Sequence, residues 1–139
     1  MEENFKFYDD KNNKKIRSTL FSDVAEGKAK CIADDRKKSA KDIDKQSQIR
    51  KFFDELLKYN DIVNNSDNKE AKFDECLPLV NMIVAKAAYA RGRNLISINF
   101  YNFLKNIIGQ IKDYKDLKNA TLFFESFIAF YKFYCPKED

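Results

Sequence analysis

Leu77-Pro78-Leu79-Val80-Asn81-Met82-Ile83-Val84-Ala85-Lys86-Ala87-Ala88-Tyr89-Ala90 is the longest apolar run of the chain, broken only by Asn81 and Lys86. It is too long for one strand of a small domain and too short and interrupted to cross a bilayer, which takes about 20 apolar residues. A helix apolar nearly all round is expected to be a central helix, touched from several sides. The run predicts a third helix starting near Asp74, with Pro78 tolerated close to the first turn. Gly92 fits its C-terminal cap, with Arg91 and Arg93 at the negative end of the helix dipole.

The flanking sequence repeats the same period. Ser47 caps a helix, or Asp44 begins it a turn earlier. Ile49, Phe52, Phe53, Leu56 and Leu57 form its apolar stripe, ending near Val63. Arg50 with Asp54 and Lys51 with Glu55 are opposite charges four residues apart, expected to pair on the outer face. Asn64-Asn65-Ser66-Asp67-Asn68 reads as a loop.

Downstream, Ser97 caps a fourth helix carrying Phe100, Phe103, Leu104, Ile107, Ile108 and Ile111. A fifth begins between Asp113 and Asp116 and carries Leu117, Ala120, Phe123, Phe124, Phe127, Ile128 and Tyr131. Its last turns hold more aromatics than one core face hides, so some are expected to meet another chain. Upstream, Ser18 or Thr19 opens a first helix with Leu20, Val24, Lys28 and Ile32 at spacing four. Residues 33–45, almost all charged or small, read as an exposed connector.

Residues 1–15 are polar and read as a flexible N-terminal arm, 16–135 as a single helical-bundle domain, and 136–139 as a tail. Three Gly and two Pro in 139 residues leave too few turn-formers for an all-β fold. The expected architecture is all-α, a compact bundle of about five helices.

Composition also bounds chemistry. There is no His, which removes the commonest general base, the His-activated nucleophiles and the usual zinc ligand. Gly27, Gly92 and Gly109 are isolated, so no glycine-rich phosphate loop exists. No enzyme, metal or cofactor is expected. Cys31, Cys76 and Cys135 are scattered and odd in number. They read as reduced thiols of a cytoplasmic protein, with Cys76 and Cys135 in the core. The acidic N-terminus has no apolar stretch, so no leader is expected, nor any membrane partner.

Charge is uneven. Residues 1–75 hold 17 Lys/Arg and 17 Asp/Glu, whereas 76–139 hold 9 and 5, the whole net charge of +4. Between Cys76 and Lys112 there is no acid at all. Burial accounts for part of this. What remains is Lys86, Tyr89, Arg91 and Arg93 around one helix end, a positive field suited to anions. At 100° per residue Leu79, Met82, Lys86, Tyr89 and Arg93 share one stripe. Lys86 suits a lysine whose stem covers apolar surface, or one that meets a phosphate. Arg91 and Arg93 suit the helix end or a phosphate, and Tyr89 a core edge or a base-stacking platform.

The block Cys76 to Arg93, above all Lys86-Ala87-Ala88-Tyr89-Ala90-Arg91-Gly92-Arg93, resembles the small subunit of type III-A (Csm-type) CRISPR effector complexes. Ser47-Gln48-Ile49-Arg50-Lys51-Phe52-Phe53 is similar to that family's helix opening, and Phe123 to Tyr134 to its aromatic last helix. The resemblance spans roughly residues 44–134. It implies a compact helical protein without a catalytic centre, stacked in several copies inside a ribonucleoprotein. There it would lie beside the backbone and large subunits and touch guide RNA and target RNA. By position it makes Arg50, Lys51, Lys86, Arg91 and Arg93 the candidate RNA contacts. The alternative is a helical adaptor whose basic face meets an acidic protein.

Overall fold

The computed structural model describes residues 5–10 and 15–137. Two short antiparallel strands, β1 (Tyr8–Asp10) and β2 (Lys15–Ile16), precede the helices. A turn over Leu20–Val24 follows, closed by Val24 N–H donating to Thr19 O at 3.1 Å, a five-residue span. It runs directly into α1 (Ala25–Lys38). Then come α2 (Gln46–Asn64), α3 (Lys69–Gly92), α4 (Ile98–Gly109) and α5 (Tyr114–Tyr134). The expected five-helix all-α bundle is present, with a small hairpin that the sequence did not suggest.

Three helix starts follow capping chemistry, but α2 does not: it begins at Gln46 after Lys45 with no side-chain cap, so Ser47 lies inside its first turn and neither Ser47 nor Asp44 caps it. Asn68, Ser97 and Asp113 each accept a backbone N–H three residues on, from Ala71, Phe100 and Asp116. α3 therefore begins a turn and a half before Asp74, and Pro78 lies well inside it rather than in the first turn. The missing proline N–H falls on an exposed face, where water reaches the freed carbonyl. Gly92 is the last residue of α3, and the left-handed conformation expected of it is taken by Asn94, at φ 61°. Asn tolerates that region because its short polar side chain bonds locally. Leu95 N–H then closes on Ala90 O at 3.0 Å.

α5, not α3, is the central helix. It packs on α1, α2 and the turn before α1, and Phe123, Phe124, Phe127 and Tyr131 are all fully buried. Phe103 of α4 meets Phe127 at 4.5 Å between ring centroids, and Phe100 meets Phe124 and Phe127 at 6.4 and 6.2 Å. α3 touches α2 and α4 but turns one side to solvent, where Leu79, Met82 and Tyr89 are 47%, 51% and 67% exposed. Its all-round apolarity does not signal all-round burial: the helix buries only Phe73, Cys76, Val80, Ile83, Ala87 and Ala90. Cys76 and Cys135 are buried as free thiols.

Two further expectations are corrected by burial. The N-terminal residues are no loose arm where they are described. Phe5 and Phe7 are buried, with Phe5 against Phe123 at 4.8 Å and under the Lys28 ammonium at 5.2 Å. Phe7 N–H donates to Gln110 Oε1 at 2.9 Å. The rest of that segment, residues 1–4 and 11–14, lies outside the described residues, as do 138–139 of the tail. The region 33–45 is no plain exposed connector either. α1 continues to Lys38, and Ala33, Arg36 and Asp44 are buried.

Asp44 joins three parts of the fold. At φ 54° it presents its N–H to Leu95 O (3.0 Å), its Oδ1 to Ser97 N–H (2.8 Å) and its carbonyl to the Tyr131 hydroxyl (2.6 Å). Its Oδ2 is buried with no hydrogen-bond partner among the described residues. Burial raises the carboxyl above its ordinary 3.8, against the opposing pull of the Ser97 hydrogen bonds. The folded state thus holds this proton more tightly than the unfolded chain, so stability falls as pH rises from about 4 through the folded value. Asp44→Asn keeps the acceptor oxygen and the left-handed backbone without the charge. Urea midpoints of wild type and Asp44→Asn, measured from pH 4 to 7, should show wild type losing ground steadily to the variant. A constant gap would refute the charge burial.

Candidate nucleic-acid interface

α2 and α3 form an antiparallel helical hairpin joined by residues 65–68. The start of α2 is tied back to the segment after α3 through Asp44 with Leu95 and Ser97. The Lys86 ammonium donates to Glu55 Oε1 at 2.6 Å and so marks the register. One turn from that pair toward the common end lie Arg50 and Lys51 on α2 and Ala90 and Arg91 on α3. Helices about 9 Å apart therefore carry four of the five candidate cations, Arg50, Lys51, Arg91 and Arg93, at one end of the hairpin.

Lys86 stands apart from them. It is on the exposed face of α3, and its ammonium meets a carboxylate. The hydrogen bond it donates to Glu55 raises its pKa, keeping it charged while the carboxylate offsets that charge. The stretch without acids in sequence is thus not without them in space, because Glu55 reaches across from α2. The expected Lys51–Glu55 and Arg50–Asp54 pairs do not form: Glu55 is taken by Lys86, and no ion pair joins Arg50 to Asp54. Arg50 and Lys51 are both exposed on the surface of α2.

Tyr89 is no core edge. Its ring is largely exposed, with the Arg93 guanidinium 5.8 Å from its centroid. A flat aromatic face backed by a guanidinium offers stacking and charge side by side. Arg91, two residues on and so on a different side of the helix, is half-buried. Sequence spacing gave the stripe Leu79–Met82–Lys86–Tyr89–Arg93 correctly, and the structure turns it outward. What spacing could not give is Glu55, since the pairing crosses between helices.

Among the described residues no cluster of His, Cys, Asp or Glu could hold a metal ion, and no helix is long and apolar enough to cross a membrane. The class is a small all-α bundle with a cationic end and an outward aromatic. Residues 21–137 match the family model Csm2 Type III-A. The chain belongs to that family, the small subunits of type III-A CRISPR effector complexes. Comparison with curated proteins and with solved structures gave no match.

Proposed function

We propose that the chain is a non-catalytic RNA-binding subunit that stacks in several copies within the effector complex, in the cytoplasm. It contacts the guide–target RNA backbone without reading sequence. The observation supporting this is the gathering of Arg50, Lys51, Arg91 and Arg93 at one end of the α2–α3 hairpin, beside the exposed Tyr89. Base pairing between guide and target already carries sequence information, so phosphate and shape contacts from a rigid hairpin suffice. Lys86 joins this surface where a phosphate displaces Glu55.

Head-to-tail stacking needs two different apolar patches on one molecule. Phe133 on α5, 73% exposed, and the Leu79–Met82 face of α3 are such patches. The backbone and large subunits of the complex are the further partners. The second reading is an adaptor whose basic face, Arg50, Lys51, Arg91 and Arg93, meets an acidic protein.

Isolation of the tagged chain from cells carrying the complex separates the two. The expected result is co-isolation of RNA of guide length, lost on washing at high salt. A nucleic-acid-free pair with an acidic protein would instead establish the adaptor.

A further inference from the structure

At the other end of the hairpin lies a groove of about 710 Å³, of the size that small ligands occupy. Its cations are Lys69, Lys115 and Lys118, and its amides are Asn60, Asn64 and Asn119. Among the described residues no Asp or Glu lines it. Among the described residues none of the three lysines is in an ion pair, and the Asn60 and Asn64 side chains make no hydrogen bond. The rings of Tyr8 and Tyr114 stand in its wall.

The wall is built rather than incidental. The Tyr8 hydroxyl donates to Asp116 Oδ1 and accepts from Asn119 Nδ2 at 3.1 Å, fixing the ring. Asp116 is held in turn by Lys112 N–H at 2.9 Å. Lys69 and Lys115 lie in the first turns of α3 and α5, so two positive helix ends reinforce the lysines. Glu70, Asp74 and Asp113 line an adjoining groove that shares Tyr114 and Lys115 with this one but not Lys69 or Lys118.

We propose that this groove binds a nucleotide, with its phosphate on the lysines, its base edge on the Asn amides and its base face against the tyrosines. Carboxamides offer a donor and an acceptor together, the pattern base edges present. A ligand carrying carboxylates alone would leave the amides and rings unused. The site is distinct from the cationic end and does not rest on RNA binding there. Its nucleotide comes either free or as part of a single strand.

The test uses the ¹⁵N-labelled full chain titrated with AMP and UMP to about 10 mM. Saturable shifts are expected at the Asn60, Asn64 and Asn119 side-chain NH₂ signals, with ribose 5-phosphate and adenosine at least about tenfold weaker. A uridine or adenosine decamer binding about tenfold more tightly than the monomer identifies a strand, and equal affinity identifies the free nucleotide. The triple variant Lys69→Glu, Lys115→Glu, Lys118→Glu should abolish the shifts. Should that variant lose its helical circular dichroism, Asn60→Ala with Asn64→Ala replaces it and should erase the preference over ribose 5-phosphate. The proposal is overturned by absence of saturable shifts with monomer and decamer alike. It is equally overturned by inorganic phosphate binding as well as AMP, or by a hexaglutamate peptide competing as well as AMP. Each readout is local to the groove, so the result is independent of RNA binding at Arg91 and Arg93.

Discussion

Replacing Phe103 by Ala should lower the unfolding free energy by about 3–5 kcal/mol. The ring is buried and lies within 6.3 Å of five other aromatic rings, those of Phe5, Phe100, Phe123, Phe124 and Phe127. Deletion removes its transfer free energy, its ring–ring contacts and the support it gives three separate chain segments at once. A domain of this size has a total stability of about 5–15 kcal/mol, so the variant would be close to its folding threshold. Urea unfolding followed by circular dichroism, with an unchanged slope, measures the loss. Phe133→Ala is the matched control: its ring is 73% exposed and its loss should stay within about 0.5 kcal/mol in the isolated chain. A Phe103→Ala loss below about 1 kcal/mol would contradict the aromatic core described above.

The second large effect concerns the cationic end. Converting Arg50, Arg91 and Arg93 together to Glu should weaken binding of a guide–target RNA duplex by roughly a hundredfold or more at low salt. Each guanidinium that neutralises a phosphate releases a counterion, and reversal adds repulsion to that loss. The dependence of log affinity on log salt should therefore flatten by about 2–3. All three side chains sit on solvent-facing or half-buried positions, so the helical circular dichroism should persist. Lys86→Ala should do much less, because Glu55 already offsets that charge. Equal affinity and equal salt slope in the triple variant would remove this end from consideration as an RNA contact.

Local periodicity was a good guide wherever a helix buries one clean face. Ser97 and Asp113 cap the helices expected of them, and every residue of the Phe100–Ile111 stripe is buried. Periodicity failed where burial depends on a partner far along the chain. Phe5 and Phe7 sit among charged residues and look like a disordered arm, yet α4 and α5 supply the pocket that takes them. Asp44 looks like one acid among many in a polar connector, and only the arrival of Leu95, Ser97 and Tyr131 makes it a buried junction. α3 shows the converse. Leu79, Met82 and Tyr89 have core chemistry but stand on the exposed side of the helix, so composition placed them inside and geometry places them out. The candidate cations were legible as a charge asymmetry. Their gathering at one end needed the hairpin register, and the Glu55 contact needed both helices in place.

The docking of Phe5 and Phe7 also sets a timetable for synthesis. Their partners, Phe103, Gln110 and Phe123, leave the ribosome about a hundred residues later, which at about 5–20 residues per second is a delay of roughly 5–20 s. Until then these two phenylalanines have no place in the fold and are open to chaperones. Residues made well before α4 and α5 are thus locked only when those helices arrive.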